Sequence, residues 1–205
     1  MTRDQIKAIV FDLGKVLIEW DPRHLYRKIF KNSDEMEYFL STVCPPEWNL
    51  ELDRGYPLEQ GVKDRIKLFP DYEQQIHAYF LRWEEMVPGE IKSSVNLLSD
   101  LCAHPYSLYA LSNWSAETFP IMCQRFEFLK WFEKIFISGE IGLVKPESDF
   151  YNYFLEKVDL KAVECIFIDD SEKNIQTARQ LGFKTILFET PEKLKEEFRK
   201  NNIPV

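Results

Sequence analysis

The sequence predicts an α/β fold, a doubly wound parallel sheet carrying a helical insertion, and three observations lead to it. Short apolar runs of strand length recur along the chain, and they are continuous rather than alternating, as strands covered on both faces require. Helical patterns lie between the later runs, so that strand and helix alternate from about residue 90 onward. One long interval before residue 90 breaks this alternation; it is rich in aromatics, charges and prolines and reads as several helices without a strand.

Taken in order, "KAIVFD" (7–12) is the first strand and delivers Asp12 at its end. Residues 19–87 are the insertion, with Pro22, "CPPEW", "RGYP" and "FPDY" marking the turns between its helices. In "IKSSVNLLSDLCAH" (91–104), Ile91, Val95, Leu98 and Leu101 recur at helical spacing and define one buried stripe. Strands follow at "SLYALS" (107–112), "KIFIS" (134–138), "CIFID" (165–169) and "KTILF" (184–188). Between the last two, Ile175, Ala178 and Leu181 mark a helix, with Ser171 placed to cap its start and Gly182 to end it. The tail "PEKLKEEFRKNNIPV" reads as a surface helix with a frayed end. The core is thus assigned to residues 1–18 and 88–205.

A chain of 205 residues can bury a substantial core. Its net charge of −8, with Lys and Arg scattered among acids, argues against nucleic acid as a partner. Neither "MTRDQIK" nor any later stretch has the length and apolarity of a signal or a membrane span, so no membrane partner is expected. Cys44, Cys102, Cys123 and Cys165 are widely separated, which indicates neither a zinc site nor a disulfide framework and suits a reducing cytoplasm. The oligomeric state is left open.

Ligands of an open α/β sheet bind in the crevice outside the carboxyl ends of its strands. Three apolar runs end there in polar groups: Asp12, then Ser112 with Asn113, then Asp169 with Asp170. "GLVKP" presents Lys145 shortly after another strand. Two or three carboxylates make a hard oxygen site suited to Mg²⁺, which keeps waters and recruits substrate phosphate. A carboxylate can also attack phosphorus and split one displacement into two. Lys145 and the Ser112 hydroxyl are suited to the equatorial oxygens of a transferring phosphoryl group. Each piece alone is ordinary turn or helix-entrance chemistry; their convergence on one edge is what defines a site.

"FDLGKVL", "LSNW", "LVKP" and "FIDDSEKN", in that order, resemble the four motifs of the haloacid dehalogenase-like (HAD) hydrolases, in the branch with a helical cap between motifs one and two. The match spans nearly the whole chain. The resemblance implies that Asp12 is nucleophile and metal ligand, and that the Gly14 carbonyl is a second ligand. It further implies that Ser112 and Asn113 bind the phosphoryl group, that Lys145 pairs with Asp12 and phosphate, and that Asp170 ligates Mg²⁺ with Asp169 assisting. Ser171 and Asn174 support the acidic loop. The "ELDRG" stretch resembles a segment of such caps, and its Arg54 is the candidate to reach a substrate anion.

One position departs from the common phosphatase pattern: Gly14 stands where a second Asp protonates the leaving group. The chain is therefore read as a Mg²⁺-dependent phosphatase of small phosphorylated metabolites, sugar phosphates among them, with a 2-haloacid dehalogenase and a non-catalytic binding protein as alternatives. Dehalogenation needs no acid, but dehalogenases of this family usually replace the paired acids of motif four, which Asp169 and Asp170 retain. Glu19 and Asp21 are the nearest substitute acids. His24, His77 and His104 have no ligand partner at metal spacing in the sequence, and Trp48 reads as a buried cap aromatic.

Overall fold

The computed structural model describes residues 6–205. β1 (Ala8–Phe11) is followed by β2 (Ile18–Glu19), five helices α1 (Arg23–Tyr26), α2 (Ser33–Tyr38), α3 (Pro46–Asp53), α4 (Leu58–Leu68) and α5 (Glu73–Leu81), and then β3 (Gly89–Glu90). After α6 (Lys92–Leu101) come β4 (Ser107–Ser112), α7 (Phe119–Arg125), β5 (Lys134–Ile137), α8 (Ser138–Ile141) and α9 (Ser148–Val158). β6 (Cys165–Asp169), α10 (Glu172–Gln180), β7 (Lys184–Leu187) and α11 (Pro191–Lys200) complete the chain. Residues 1–5, which include most of "MTRDQIK", lie outside the described residues.

Five strands form one parallel sheet in the order β5-β4-β1-β6-β7. The continuous apolar runs are explained by two-sided burial. On β1, Ile9 and Phe11 enter one core cluster while Ala8 and Val10 enter the other; β6 divides Ile166 and Ile168 from Cys165 and Phe167 in the same way. The chain winds outward from β1 first through β4 and β5, then through β6 and β7 on the other side. The switch point therefore lies at the carboxyl end of β1, where neighbouring connections part and leave a crevice.

The interval expected to lack a strand contains β2, which pairs antiparallel with β3 through Ile18↔Glu90 and Glu19↔Gly89. Asp21 N–H donates to Met86 O at 3.0 Å and Ile91 N–H to Leu17 O at 2.8 Å, so the two strands joining the helical insert to the sheet are zipped together. A two-residue strand has too short an alternation to read from sequence.

The tail also differs from expectation. Thr190 caps α11 by accepting from Lys193 N–H at 3.2 Å, and Phe198 is fully buried against Phe11, ring centroids 6.4 Å apart. Burying a phenylalanine contributes about 1.5–3 kcal/mol. Ile203 is buried as well, and its N–H donates to Phe198 O at 2.8 Å, so the end is anchored, not frayed. At α10, Ser171 occupies the cap position but its hydroxyl makes no capping bond. Its N–H donates to Asp169 Oδ1 at 2.8 Å. Gly182 ends that helix region at φ +96°, as its type predicts.

Candidate active site

β1 ends at the switch point, and Asp12 N–H continues its ladder to Ile168 O at 2.8 Å. The next turn is held tightly: Leu17 and Ile18 N–H both reach Leu13 O at 2.9 Å, Lys15 N–H reaches Ile18 O at 2.7 Å, and Leu13, Val16 and Leu17 are fully buried. This fixes the Asp12 carboxylate. Its Oδ1 accepts from Leu13 N–H and from Ser112 Oγ, each at 2.7 Å, and its Oδ2 lies 3.0 Å from Lys145 Nζ.

Lys145 is almost wholly buried and also donates to Asp169 Oδ2 at 2.7 Å. Burial alone would drive its ammonium toward the neutral form, but Asp12 and Asp169 outweigh that and raise its pKa. Asp169 is fully buried and spent on this scaffold: Asn174 Nδ2 donates to its two oxygens at 2.9 and 3.0 Å, in addition to Ser171 N–H and Lys145. Asn113 holds Lys145 from the backbone side, donating from Nδ2 to Lys145 O at 2.9 Å and accepting from Lys145 N–H at 2.8 Å. Its side-chain amide is thus engaged in positioning Lys145, with one N–H of Nδ2 left over.

Asp12, Asp169 and Asp170 can offer oxygens within 4.8 Å of one another. Burial pushes the Asp12 carboxyl well above its ordinary range, against the pull of Lys145, and the charges of Asp169 and Asp170 add to the rise. Asp170 is raised too, by burial and then by Asp169, with Lys15 Nζ only as near as 4.0 Å. Anionic oxygens crowded in this way, with one buried ammonium between them, fit a divalent cation bound by Asp12 and Asp170, with Asp169 orienting the surroundings. Gly14 lines the same cavity and lies beside Asp12 in the turn.

The cavity has a volume of about 470 Å³ and lies between the sheet edge and the helical insert. Asp12, Ser112, Asn113, Lys145 and Asp170 form its floor, and Trp20, Leu50, Trp83 and Trp114 give it apolar walls. Trp83 from the insert meets Trp114 edge-on with centroids 5.7 Å apart. Sequence reasoning missed these walls and also Asp53, which lines the cavity from the end of α3. "ELDRG" was the available signal, read for its arginine rather than its aspartate.

The arginine goes elsewhere. Arg54 forms a bidentate pair with Glu147, Nη1 to Oε2 at 2.9 Å and Nη2 to Oε1 at 2.6 Å, and is absent from the cavity lining. It ties the insert to the core instead of reaching a substrate anion. Glu19 and Asp21 are also outside the lining: Glu19 faces His24 Nε2 at 3.0 Å, and Asp21 Oδ1 accepts from Arg23 N–H at 2.8 Å. Between them Trp20 enters the cavity wall, so the segment presents its aromatic and not its acids to the site. Trp48 packs edge-on against Tyr79 within the insert at 4.9 Å, outside the cavity lining.

The seam between insert and core is glycine-tight. A Cβ on Gly139 would lie 2.4 Å from Ala116 N and 2.8 Å from Trp114 O, both rigid backbone, and Gly55 at φ +110° approaches Gly139 O. Gly139→Ala is therefore expected to lower stability by about 1–3 kcal/mol in urea unfolding, as overpacking does.

A buried carboxylate held by an ammonium and a hydroxyl, beside a cluster of acidic oxygens suited to a hard cation at the switch point of a parallel sheet, is the arrangement of a metal-assisted hydrolase. The haloacid dehalogenase-like hydrolase family matches residues 9–188, and the chain belongs to that family. It is similar to the sesquiterpene phosphatase astK of Aspergillus oryzae, 27% identical over 188 residues that cover 86% of each chain. It is also 25% identical over 195 residues to the drimenol cyclase drtB of Aspergillus calidoustus, covering 94% of this chain but only 36% of that protein's length. Among solved structures, the HAD family enzyme bt-2542 of Bacteroides thetaiotaomicron in complex with magnesium and inorganic phosphate superposes with a TM-score of 0.72 at 26% identity, covering 95% of this chain and 100% of that one.

Proposed function

We propose that this chain is a Mg²⁺-dependent phosphatase of small phosphorylated metabolites, sugar phosphates among them, acting through an aspartyl-phosphate on Asp12. The observation that carries the reading is the Asp12 carboxylate, buried and pinned by Leu13 N–H, Ser112 Oγ and Lys145 Nζ at the floor of a cavity beside Asp170. The phosphatase relative and the magnesium–phosphate complex of the structural neighbour support it.

In this reading Asp12, Asp170 and the Gly14 carbonyl hold Mg²⁺, with Asp169 behind them. The cation, when bound, neutralises charge on the phosphoryl oxygens. Asp12 attacks phosphorus, while Lys145, the Ser112 hydroxyl and the main chain at Asn113 orient the phosphoryl oxygens. Residues 19–87 serve as the cap, which excludes water over the cavity. Its aromatic walls offer a face either to a sugar ring or to an isoprenoid chain. A reducing compartment is consistent with Cys44, Cys102, Cys123 and Cys165 all being free thiols, and no helix among the described residues is long and apolar enough to cross a membrane.

The test is a panel of phosphomonoesters that includes a sugar 1-phosphate, a sugar-alcohol 5-phosphate and a prenyl monophosphate, assayed in MgCl₂ and in EDTA. Phosphate release in the first and none in the second is expected, with no halide released from L-2-chloropropionate. Inorganic phosphate that raises the melting temperature of a chain releasing nothing from the whole panel would instead establish the binding-protein reading.

A further inference from the structure

The proposed reaction moves a proton twice, and the nucleophile loop has no group for it, since position 14 is glycine. Four carboxylates line the cavity: Asp12, Glu47, Asp53 and Asp170. Asp12 and Asp170 belong to the nucleophile and cation cluster. Glu47 is exposed in the first turn of α3. Asp53 remains, and the structure grips it from several sides. Asn49 Nδ2 donates to its Oδ2 at 2.7 Å, and Tyr79 Oη fixes that amide by donating to Asn49 Oδ1 at 2.6 Å. Ser138 Oγ donates to the Asp53 carbonyl at 2.6 Å and accepts from Trp114 N–H at 2.9 Å, two residues beyond Ser112. The Arg54–Glu147 pair locks the next residue. Asp53 is thereby clamped to the same loop that carries Ser112 and Asn113.

We infer that Asp53, delivered from the helical insert into the cavity onto which Asp12 opens, is the general acid and base of this chain. The inference rests on the phosphatase reading. In the first half-reaction an Asp12 oxygen forms a bond to phosphorus as the bond to the leaving oxygen breaks. The electron pair stays on that oxygen, which takes the Asp53 proton and departs as the alcohol. In the second, water attacks the aspartyl-phosphate and gives its proton to the Asp53 carboxylate. The Asp12–phosphorus bond breaks, returning the Asp12 carboxylate and releasing inorganic phosphate.

The electrostatics suit both half-reactions. Burial raises the Asp53 carboxyl to about 7, opposed by the Ser115 N–H and Asn49 donors and reinforced by the Asp12 charge, so acid and base forms coexist near neutrality. Two ionisable groups near it, Tyr79 and Lys145, keep one charge state there. Tyr79 on α5 stays protonated because burial raises it well above 10.0, and Lys145 stays charged at the cavity floor. Lys15, Lys173 and exposed Glu47 also line the cavity. Asp12 and Asp170 face the cation position. The residue that replaces the missing acid thus comes from the insert, which couples proton transfer to seating of the insert on the core.

The experiment compares two aromatic phosphomonoesters in MgCl₂: p-nitrophenyl phosphate, whose leaving oxygen departs without a proton, and 2-phenylethyl phosphate, whose alkoxide needs one. For Asp53→Asn, turnover of the phenylethyl ester is expected to fall about 10²- to 10⁴-fold. The first equivalent of nitrophenolate should still appear in a burst at close to the wild-type rate, with phosphorylated protein accumulating in acid-quenched samples. Asp53→Glu should recover part of the phenylethyl turnover. Equal losses on both esters without a burst, or no loss on either, would overturn the inference while leaving the phosphatase reading intact. A wild-type chain that hydrolyses neither ester, nor any member of the panel, would overturn both. Should Asp53→Asn not fold, the wild type still decides: phenylethyl turnover must show a limb near neutral pH that the nitrophenolate burst lacks, and identical profiles would overturn the inference.

Discussion

Replacing Lys145 with methionine is expected to destabilise the protein by about 3–5 kcal/mol, the cost of breaking a buried ion cluster on one side. The Lys145 side chain is 1% exposed and spans Asp12 Oδ2 at 3.0 Å and Asp169 Oδ2 at 2.7 Å. Without it, two buried carboxylates face each other with Asp170 beside them, and no other ammonium in the described residues reaches Asp12 or Asp169 within 4.0 Å. Urea unfolding with and without MgCl₂ checks this. Because Lys145 competes with a cation for the same oxygens, Mg²⁺ should stabilise Lys145→Met more than the wild type, in proportion to the logarithm of its concentration over its dissociation constant. Lys145→Arg should not restore stability, since a planar guanidinium does not fit an enclosed site shaped for a compact ammonium.

If Asp12 is the nucleophile, as proposed, Asp12→Asn is expected to lower phosphate release by about 10⁴-fold or more, since only binding and electrostatic contributions are then left. The amide oxygen can keep the bonds from Leu13 N–H and Ser112 Oγ, which places the new NH₂ against Lys145 Nζ. Two donors then face each other in a buried site, and a stability loss of about 1–3 kcal/mol should accompany the lost activity. Thermal melts separate the two effects: a variant that retains cooperative unfolding yet releases no phosphate has lost chemistry rather than fold.

Asp53→Asn should behave in the opposite sense in the melt. A carboxyl whose folded pKa is raised from 3.8 to about 7 binds its proton more tightly in the folded chain than in the unfolded one. It therefore costs stability progressively as pH rises through that window, and the cost is complete above it. The asparagine variant should melt higher than the wild type at pH 8, with the advantage shrinking toward pH 4. A group that weakens the fold at working pH yet is held by Asn49, Tyr79 and Ser138 has the signature of a functional site rather than of packing.

The sheet was legible because its signals are contiguous. Each apolar run codes one strand, and the polar residue ending it codes what that strand delivers, so Asp12, Ser112 and Asp170 could be placed on one edge before any packing was known. Lys145 was legible by its place after β5, and the structure adds that it is a buried bridge between Asp12 and Asp169. Asn113 and Ser171 were legible as positions but not as contacts. The Asn113 amide turns to the backbone of Lys145, 32 residues away, and Ser171 meets Asp169 through its N–H while its hydroxyl makes no capping bond. The tail failed for the same reason: nothing local says that Phe198 meets Phe11.

The amino-acid sequence by itself determined the five strands of the parallel sheet, their order of delivery and the presence of a helical insert, because periodicity and turn chemistry are properties of neighbouring residues. The tertiary structure alone decided which charge of "ELDRG" reaches the cavity. Ser138 meets the Asp53 carbonyl from 85 residues away and Glu147 captures Arg54 from 93, so the aspartate turns inward and the arginine outward. That choice depends on the close backbone approach of Gly55 and Gly139 across the seam, a fit between distant surfaces that no local pattern encodes.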